Sequence, residues 1–133
     1  MIIGVNIDSI DANKKAATQG NVQVNYQPEI KNVEEATVNA FDEKVARIEF
    51  EFGVVYNSNN QEAARIDMGG NVIWKGGLEE ILEQWEEDES LPEEMEVQLM
   101  NELYRKLLSE AVGVANTLNL LPPIPTPKVE KPQ

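Results

Sequence analysis

The side chains of this chain that could do chemistry are almost all carboxylates. The 133 residues contain 24 Asp and Glu, 11 Lys and Arg, no His and no Cys. Without His and Cys there is no thiol nucleophile, no disulfide, no His-based triad and no ordinary zinc site. Carboxylate pairs can act as general acids and bases, but with so many of them no single pair is informative. No glycine-rich phosphate motif is present either. The sequence therefore predicts a non-enzyme with no catalytic residue, no metal site and no cofactor.

The net charge of −13 bears on the choice of partners. It repels nucleic acid and anionic membrane surfaces, whose recognition depends on Lys and Arg. It favours basic partners, or it simply keeps the protein soluble. No run of 18 apolar residues is present, and the first residues, MIIGVNIDSID, lack the basic region and cleavage site of a signal peptide. We expect no nucleic acid binding, no membrane insertion and a cytoplasmic location.

Large rings are the remaining candidates for a binding site. Trp74 and Trp85 flank the pair Gly76-Gly77, and rings beside a flexible joint suit a groove that binds apolar peptide. The predicted peptide-binding residues are Tyr56, Trp74, Trp85 and Tyr104. The competing interpretation is that these rings only fill the core.

The element that must position these rings is a central strand at residues 45–57, VARIEFEFGVVYN. Apolar side chains occupy one parity from Ala46 to Tyr56, and Arg47, Glu49 and Glu51 occupy the other. Successive side chains of a strand point to opposite faces, which predicts one dry face and one charged face. A sheet that is dry on one side is antiparallel and needs a cover.

Three further strands are predicted around it. The first covers residues 2–10, with a loop at 12–20, and the second begins at Val22 and continues to Val33. Pro28 indicates an edge position or a bend rather than the centre of the second strand, and residues 34–44 are predicted as a turn region. The return strand covers residues 64–74. Gly69-Gly70 inside it is either a bulge in one long strand or a tight turn between two short ones.

Two helices are predicted to follow. Leu78, Ile81, Leu82 and Trp85 have the spacing of a short helix. A capping box formed by Ser90 and Glu93 predicts the start of a long helix at residues 93–118. Apolar residues fill half of its circumference, which indicates either a second contact surface or a thicker core. Residues 1–121 are predicted to form one domain, and residues 122–133 a proline-rich extended tail with Leu121 and Ile124 held to the body.

The order of these elements resembles the SecB family of export chaperones. The segments that carry the resemblance are EAARIDMGGNVIWKGGLEEIL, YRKLLSEAVGVANTLNLLPPIPTPKV and SIDA at residues 9–12. The second segment is similar to the long helix of the family and to its "FPPLNLAPV"-like ending. The acidic connection EEDESLPEE and the middle of the long helix depart from the family pattern.

The resemblance implies an α+β fold, with a four-stranded antiparallel sheet and one short and one long helix packed on one face. It also implies a dimer or tetramer whose long apolar grooves hold unfolded or precursor polypeptides. In the family, acidic residues on the exposed sheet face bind the translocation motor. Here Asp11 and Asp67 match two of those positions, and Glu49 and Glu51 lie on the polar parity of the central strand. Ile7 replaces another acid, and Arg65 stands where an apolar residue is usual.

Taken together, these observations predict an ATP-independent chaperone, a holdase for non-native polypeptides with a role in protein export. The alternative is a non-catalytic adaptor of the same fold dedicated to one partner, such as a chaperone linked to a toxin–antitoxin pair. Suppression of the aggregation of generic clients separates the two, because a dedicated adaptor protects none.

Overall fold

The computed structural model describes residues 1–15, 21–38, 43–121 and 123. The elements are β1 (Ile2–Lys14), β2 (Val22–Val38), β3 (Glu43–Ser58), β4 (Gln61–Trp74), α1 (Leu78–Asp88) and α2 (Glu93–Thr117). The strands form one antiparallel sheet in the order β1-β4-β3-β2. Residues from both helices share one apolar core with the sheet. The predicted α+β class and its four-stranded antiparallel sheet with two helices on one face are confirmed.

The two central strands, β3 and β4, supply most of the buried side chains. On β3 the alternate residues from Ala46 to Tyr56 are buried against the helices, as their parity predicts. Ala64, Ile66 and Met68 continue this dry layer on β4. The outer strands β1 and β2 are mostly half-buried or exposed, and Pro28 lies on the edge strand β2 as predicted.

Gly69 and Gly70 lie inside one long strand, because β4 pairs with β3 in unbroken register from residue 74 to residue 64. The bulge is in the neighbouring strand β1, where Ile7 pairs with Gly70 and Ser9 with Gly69, so that Asp8 is left without a partner in the ladder. A Cβ on Gly70 would stand 1.9 Å from the carbonyl oxygen of Asn6. Glycine is therefore required at position 70 by the close approach of the β1 backbone.

Strands β1 and β2 extend further than the alternation predicts. The predicted loop at 12–20 is wrong for residues 12–14, and the predicted turn region at 34–44 is wrong for residues 34–38 and 43–44, all of which are strand. The parts of these two predictions at residues 16–20 and 39–42 lie outside the described residues. Glu34 to Val38 pair with the start of β3, where Arg47 lies 3.6 Å from Glu34 and Lys44 lies 3.9 Å from Glu35. The cross-strand charges therefore support a ladder that apolar alternation does not reveal.

The long helix starts at the predicted residue but without the predicted capping box. Pro92 is the residue that precedes the first helical turn, and no side chain caps it. The Ser90 hydroxyl instead accepts a hydrogen bond from Gln84 Nε2 at 3.1 Å. Ser90 therefore bonds back to α1 instead of capping α2. Pro92, which has no N–H to satisfy, directly precedes the first residue of α2.

The buried residues of α2 repeat every four residues. They are Met95, Leu99, Leu103, Leu107, Ala111 and Ala115. Because a helix turns about 100° per residue, this stripe shifts by about 40° at each step and winds around the helix axis. The half-circumference apolar face predicted from the sequence thus includes one winding buried stripe and flanking residues that are only partly buried.

The tail predicted at residues 122–133 lies outside the described residues except for Pro123, which is buried. The expected contact of Ile124 with the body also lies outside them.

We expect Gly70→Ala to destabilise the protein by about 3 kcal/mol, because the added methyl group overlaps the β1 backbone and overpacking costs about 1–3 kcal/mol or more. Gly4→Ala in the same strand pair and Gly113→Ala in α2 are matched controls, since a Cβ at either position meets no atom within 4 Å. Urea unfolding of the three variants measures the difference. A Gly70→Ala protein as stable as Gly4→Ala would contradict the assigned contact.

Candidate functional site

The four rings predicted to form one groove do not lie together. Tyr56 pairs with Ala64 at one end of the β3–β4 ladder, and Trp74 pairs with Ala46 at the other. Ten residues of strand separate these two positions, which corresponds to roughly 33 Å. The single groove predicted from Tyr56, Trp74, Trp85 and Tyr104 is therefore replaced by separate surfaces.

At the end of the sheet where β4 finishes, Trp74 borders a groove of about 260 Å³ between β4 and the starts of both helices. Gly76, Gly77, Ile81 and Met95 also line it. Trp74 is only 7% exposed, so it forms the floor of this groove rather than its rim. Trp85 is partly buried against the core on α1 and is not among the residues that line the groove. We call this surface the joint groove.

Away from this groove, above the middle of β3, Tyr104 belongs to a cluster of three rings. Its centroid lies 5.3 Å from that of Phe52 and 5.9 Å from that of Tyr26, with the rings almost perpendicular in both pairs. Such edge-to-face pairs add roughly 0.5–1.5 kcal/mol each beyond the area they bury. Tyr26 was not predicted as a site residue, although it shares the dry parity of β2 with Val22 and Val24. We call Tyr26, Phe52 and Tyr104 the aromatic cluster.

Two tyrosine hydroxyls donate to backbone carbonyls of the chain that follows α2. One belongs to Tyr26 of the cluster, and the other to Tyr56 of β3. Tyr56 donates to the oxygen of Leu121 at 2.7 Å, and Tyr26 donates to the oxygen of Pro123 at 2.5 Å. Burial, with a smaller contribution from Tyr26, raises the pKa of Tyr56 to about 12. Burial, followed by Tyr104, also raises the pKa of Tyr26. Both phenols therefore remain donors at neutral pH.

A partly exposed apolar stripe on α2 runs past the aromatic cluster. Met100 and Leu108 lie one helical turn on either side of Tyr104, and Val97 lies two turns before it. Val97 is 59% exposed, and Met100 and Leu108 are only partly buried. Because Tyr104 contacts Tyr26 of β2, these residues form the flank of α2 that faces strand β2. We call them the β2-side stripe.

The other flank of α2 borders a second, more open cleft of about 660 Å³. Val5, Ile7 and Ile10 of β1 line it on one side, and Lys106 and Glu110 of α2 line it on the other. The lysine and glutamate form an ion pair at 3.5 Å. This β1-side cleft therefore combines an apolar strand with a charged helix face.

The predicted acidic residues do lie on the face of the sheet opposite the helices. Asp11 and Asp67 are direct cross-strand partners. Arg65 donates to both carboxylate oxygens of Asp67, at 2.9 and 2.8 Å. Glu49 lies 4.0 Å from Arg47, and Glu51 lies 3.5 Å from Lys31.

Gly53 on β3 makes room for the arginine on this face. A Cβ on Gly53 would meet Asp67 at 3.1 Å and Arg65 at 3.4 Å. The guanidinium crosses this gap and donates to Gln27 Oε1 on β2 at 3.1 Å. Arg65, which departs from the SecB pattern, thus neutralises one of the matching acids and links β4 to the edge strand.

Within the described residues, no group of three His, Cys, Asp or Glu side chains could hold a metal ion. Over the same residues, no helix is long and apolar enough to cross a membrane.

Comparison with known proteins connects this geometry to one fold. No protein-family model and no curated protein matches the sequence. Among solved structures, the chain is similar to the SecB-like chaperone Rv1957 of Mycobacterium tuberculosis, in complex with a ChAD peptide from the antitoxin HigA1 (Rv1956). The TM-score is 0.60 at 12% identity, and the match covers 100% of this chain and 92% of that one. The chain therefore has a SecB-like fold, as the sequence resemblance predicts.

The raised pKa of Tyr56 predicts a loss of stability at alkaline pH. An unfolded tyrosine ionises near pH 10, whereas Tyr56 holds its proton to about pH 12. Its contribution to stability is therefore complete below about pH 10 and is lost as the pH rises towards 12. Tyr56→Phe should be about 1 kcal/mol less stable at neutral pH, because the carbonyl of Leu121 loses its donor.

Urea unfolding of wild type and Tyr56→Phe across this range tests the assignment. The stability of the variant should fall less steeply, so the two curves should converge as the pH rises. Lysines that titrate in the same range affect both proteins equally. If the stability of the two proteins falls in parallel as the pH rises, the pKa of Tyr56 is not raised by burial.

Proposed function

We propose that this protein is an ATP-independent holdase that binds apolar segments of unfolded or precursor polypeptides and catalyses no reaction. The observation that carries the proposal is the β2-side stripe, a row of partly exposed apolar side chains that leads to the aromatic cluster. Stripes of this kind on a helix are a common surface for binding extended or helical peptide. The SecB-like neighbour, whose structure contains an antitoxin peptide, supports a polypeptide ligand.

The binding energy expected from this surface is mainly apolar. Burial contributes roughly 25 cal/mol per Å², so a few large client side chains against Met100, Tyr104 and Val97 would supply most of a micromolar affinity. The joint groove with Trp74 is proposed as a second contact for the same client. Of the four rings predicted from the sequence, Tyr104 and Trp74 thus remain candidate peptide contacts, with Tyr56 and Trp85 as their buried or half-buried supports.

The charge distribution favours clients that carry Lys or Arg. Residues 78–96 contain ten acidic and no basic side chains, and Glu80 and Glu94 line the joint groove. Surface charges of this kind act mainly on the rate of encounter. We therefore expect basic clients to associate faster at low salt.

A dedicated adaptor linked to a toxin–antitoxin pair is the second candidate, because the neighbour is bound to a peptide from an antitoxin. A generic holdase suppresses the aggregation of unrelated unfolded proteins at near-stoichiometric ratio. An adaptor binds one sequence tightly and leaves those proteins unprotected.

The remaining partners follow from the same proposal. The charged sheet face with Asp11, Glu49, Glu51 and Asp67 is proposed to bind a basic partner such as a translocation motor. Asp11 is the most available of the four, since it is exposed and makes no ion pair with the described residues. The β1-side cleft is proposed as the contact between copies in a dimer or tetramer, and the cytoplasm as the place of action.

We expect Tyr104→Ala to weaken the binding of an unfolded client roughly tenfold, because truncating an aromatic anchor costs on the order of 1–2 kcal/mol. Ile10→Ala is the control, since Ile10 is also apolar and partly exposed but lies in the β1-side cleft. Fluorescence titration with a reduced, unfolded client measures both affinities. If Ile10→Ala weakens binding and Tyr104→Ala does not, the client lies on the other flank of α2.

Self-association should be visible as a mass of at least twice 14.9 kDa at micromolar concentration, because exposed apolar patches are uncommon on monomers. Replacing Ile7 by Lys on the β1-side cleft should reduce that mass, and replacing Val97 by Lys on the β2-side stripe should leave it unchanged. Sedimentation velocity measures all three proteins. A strict monomer in the wild type would refute the proposed assembly.

A further inference from the structure

The chain beyond α2 is held against the sheet by donors on three different strands. Lys14 Nζ on β1 donates to the oxygen of Leu118 at 3.2 Å. The hydroxyls of Tyr56 on β3 and Tyr26 on β2 then hold the carbonyls of residues 121 and 123. In the sheet order, this path leads from β1 across β3 to the edge strand β2. It ends beside the aromatic cluster.

The two hydroxyls match the spacing of an extended backbone. Tyr26 pairs with Val54, and Tyr56 pairs with Val24, so the two tyrosines are diagonal neighbours across the β2–β3 ladder. Diagonal neighbours are about 7–8 Å apart. Carbonyls two residues apart in an extended chain are separated by about 6–7 Å. The two tyrosine hydroxyls can therefore donate to the carbonyls of residues i and i+2 of one extended chain.

The sequence around Leu121 and Pro123 suits this mode of contact. Residues 120–125 read LLPPIP, and prolines remove backbone N–H donors and favour an extended chain. A proline-rich backbone cannot pair as a full strand, but its carbonyls remain free to accept hydrogen bonds from side chains. Leu120 and Pro123 are also buried, so the segment contributes apolar contact as well as the two hydrogen bonds.

We infer that Tyr26 and Tyr56 form a binding site for extended, proline-containing apolar segments, and that the chain's own Leu121 and Pro123 occupy it in the free protein. A client of the same chemistry binds by displacing this resident segment. The inference rests on the proposed function in one respect, since the aromatic cluster that receives the client contains Tyr26. Binding of the chain's own segment can be tested without any client protein.

The first experiment uses the full chain, which contains no Cys, so that Thr126→Cys carries a single environment-sensitive dye. The probe is a synthetic peptide of residues 118–128, LNLLPPIPTPK. Added in excess, it should shift the dye emission to the value of the unfolded labelled chain. The same peptide with its four prolines replaced by Ala should require a much higher concentration. No shift with either peptide would overturn the inference.

The second experiment compares the full chain with a chain that ends at Leu120. Removing the resident segment should raise the affinity for the LNLLPPIPTPK peptide roughly 25-fold, taking about fivefold for each of two hydroxyl hydrogen bonds. A chain that ends at Pro125 retains both anchors and should bind the peptide as weakly as the full chain. Equal affinities for all three chains would overturn the inference.

Substitutions in the shortened chain identify the donors. Tyr26→Phe and Tyr56→Phe keep the rings and should each lower the peptide affinity about fivefold. Lys14→Met removes the donor to Leu118 but neither hydroxyl, and it should have no effect. If the shortened chain fails to fold, Tyr26→Phe with Tyr56→Phe in the dye-labelled full chain should already show the emission of the displaced segment. Emission unchanged by that double substitution would count against the inference.

The two proposals fail in different ways. A shortened chain that binds the peptide but protects no aggregating protein supports the tyrosine site and contradicts the generic holdase. A full chain that protects such proteins while the shortened chain gains no peptide affinity supports the holdase and overturns the tyrosine site.

Discussion

The width of a single helix determines most of this structure. With its side chains, a helix is about 10–12 Å wide, whereas four strands at about 4.8 Å spacing occupy roughly 19 Å. The helix α2 can therefore cover about two strands, the shorter helix α1 packs against part of β2 and β3, and the buried residues lie mostly on β3 and β4. The outer strands are left half-covered on the helix side. Both apolar flanks of α2, towards β1 and towards β2, follow from this mismatch.

The sequence predicts the central part of this arrangement and fails where register decides. The parity of residues 45–57 identifies β3 and its dry face, because alternation depends only on local geometry. The relative position of Tyr56 and Trp74 depends on how β3 pairs with β4, and antiparallel pairing places them at opposite ends. That register is set by the tight turn at Asn59 and Asn60, which joins the two strands, and not by the alternation within either strand. Four rings that look equivalent in the sequence therefore belong to two separate surfaces.

Local signals also fail where a tertiary contact competes with them. Ser90 and Glu93 have the spacing of a capping box, yet the Ser90 hydroxyl bonds to Gln84 of the preceding helix. The glycine pair in β4 suggested a bulge in its own strand, whereas the extra residue is Asp8 in β1. Asn71 donates to the Asp8 carboxylate at 3.4 Å and accepts from Asn6 at 3.2 Å. These side-chain bonds hold the bulge, and only the paired strands reveal them.

The net charge of −13 is distributed unevenly, so the region that attracts a basic ligand differs from the region that binds it. On the sheet face opposite the helices, Lys31, Arg47 and Arg65 pair with the nearby acids. The uncompensated acids are concentrated at residues 78–96, on α1 and the start of α2. The aromatic cluster lies at the middle of α2, because Tyr104 is the twelfth of its 25 residues, about 12 Å along the helix axis from Glu96. Interactions between exposed charges are screened within about 10 Å at 0.1 M salt, so these acids act most strongly at the joint groove, which Glu80 and Glu94 line. A ligand held at the aromatic cluster is therefore held by apolar burial and by the two hydroxyl groups, whatever charge drew it to the protein.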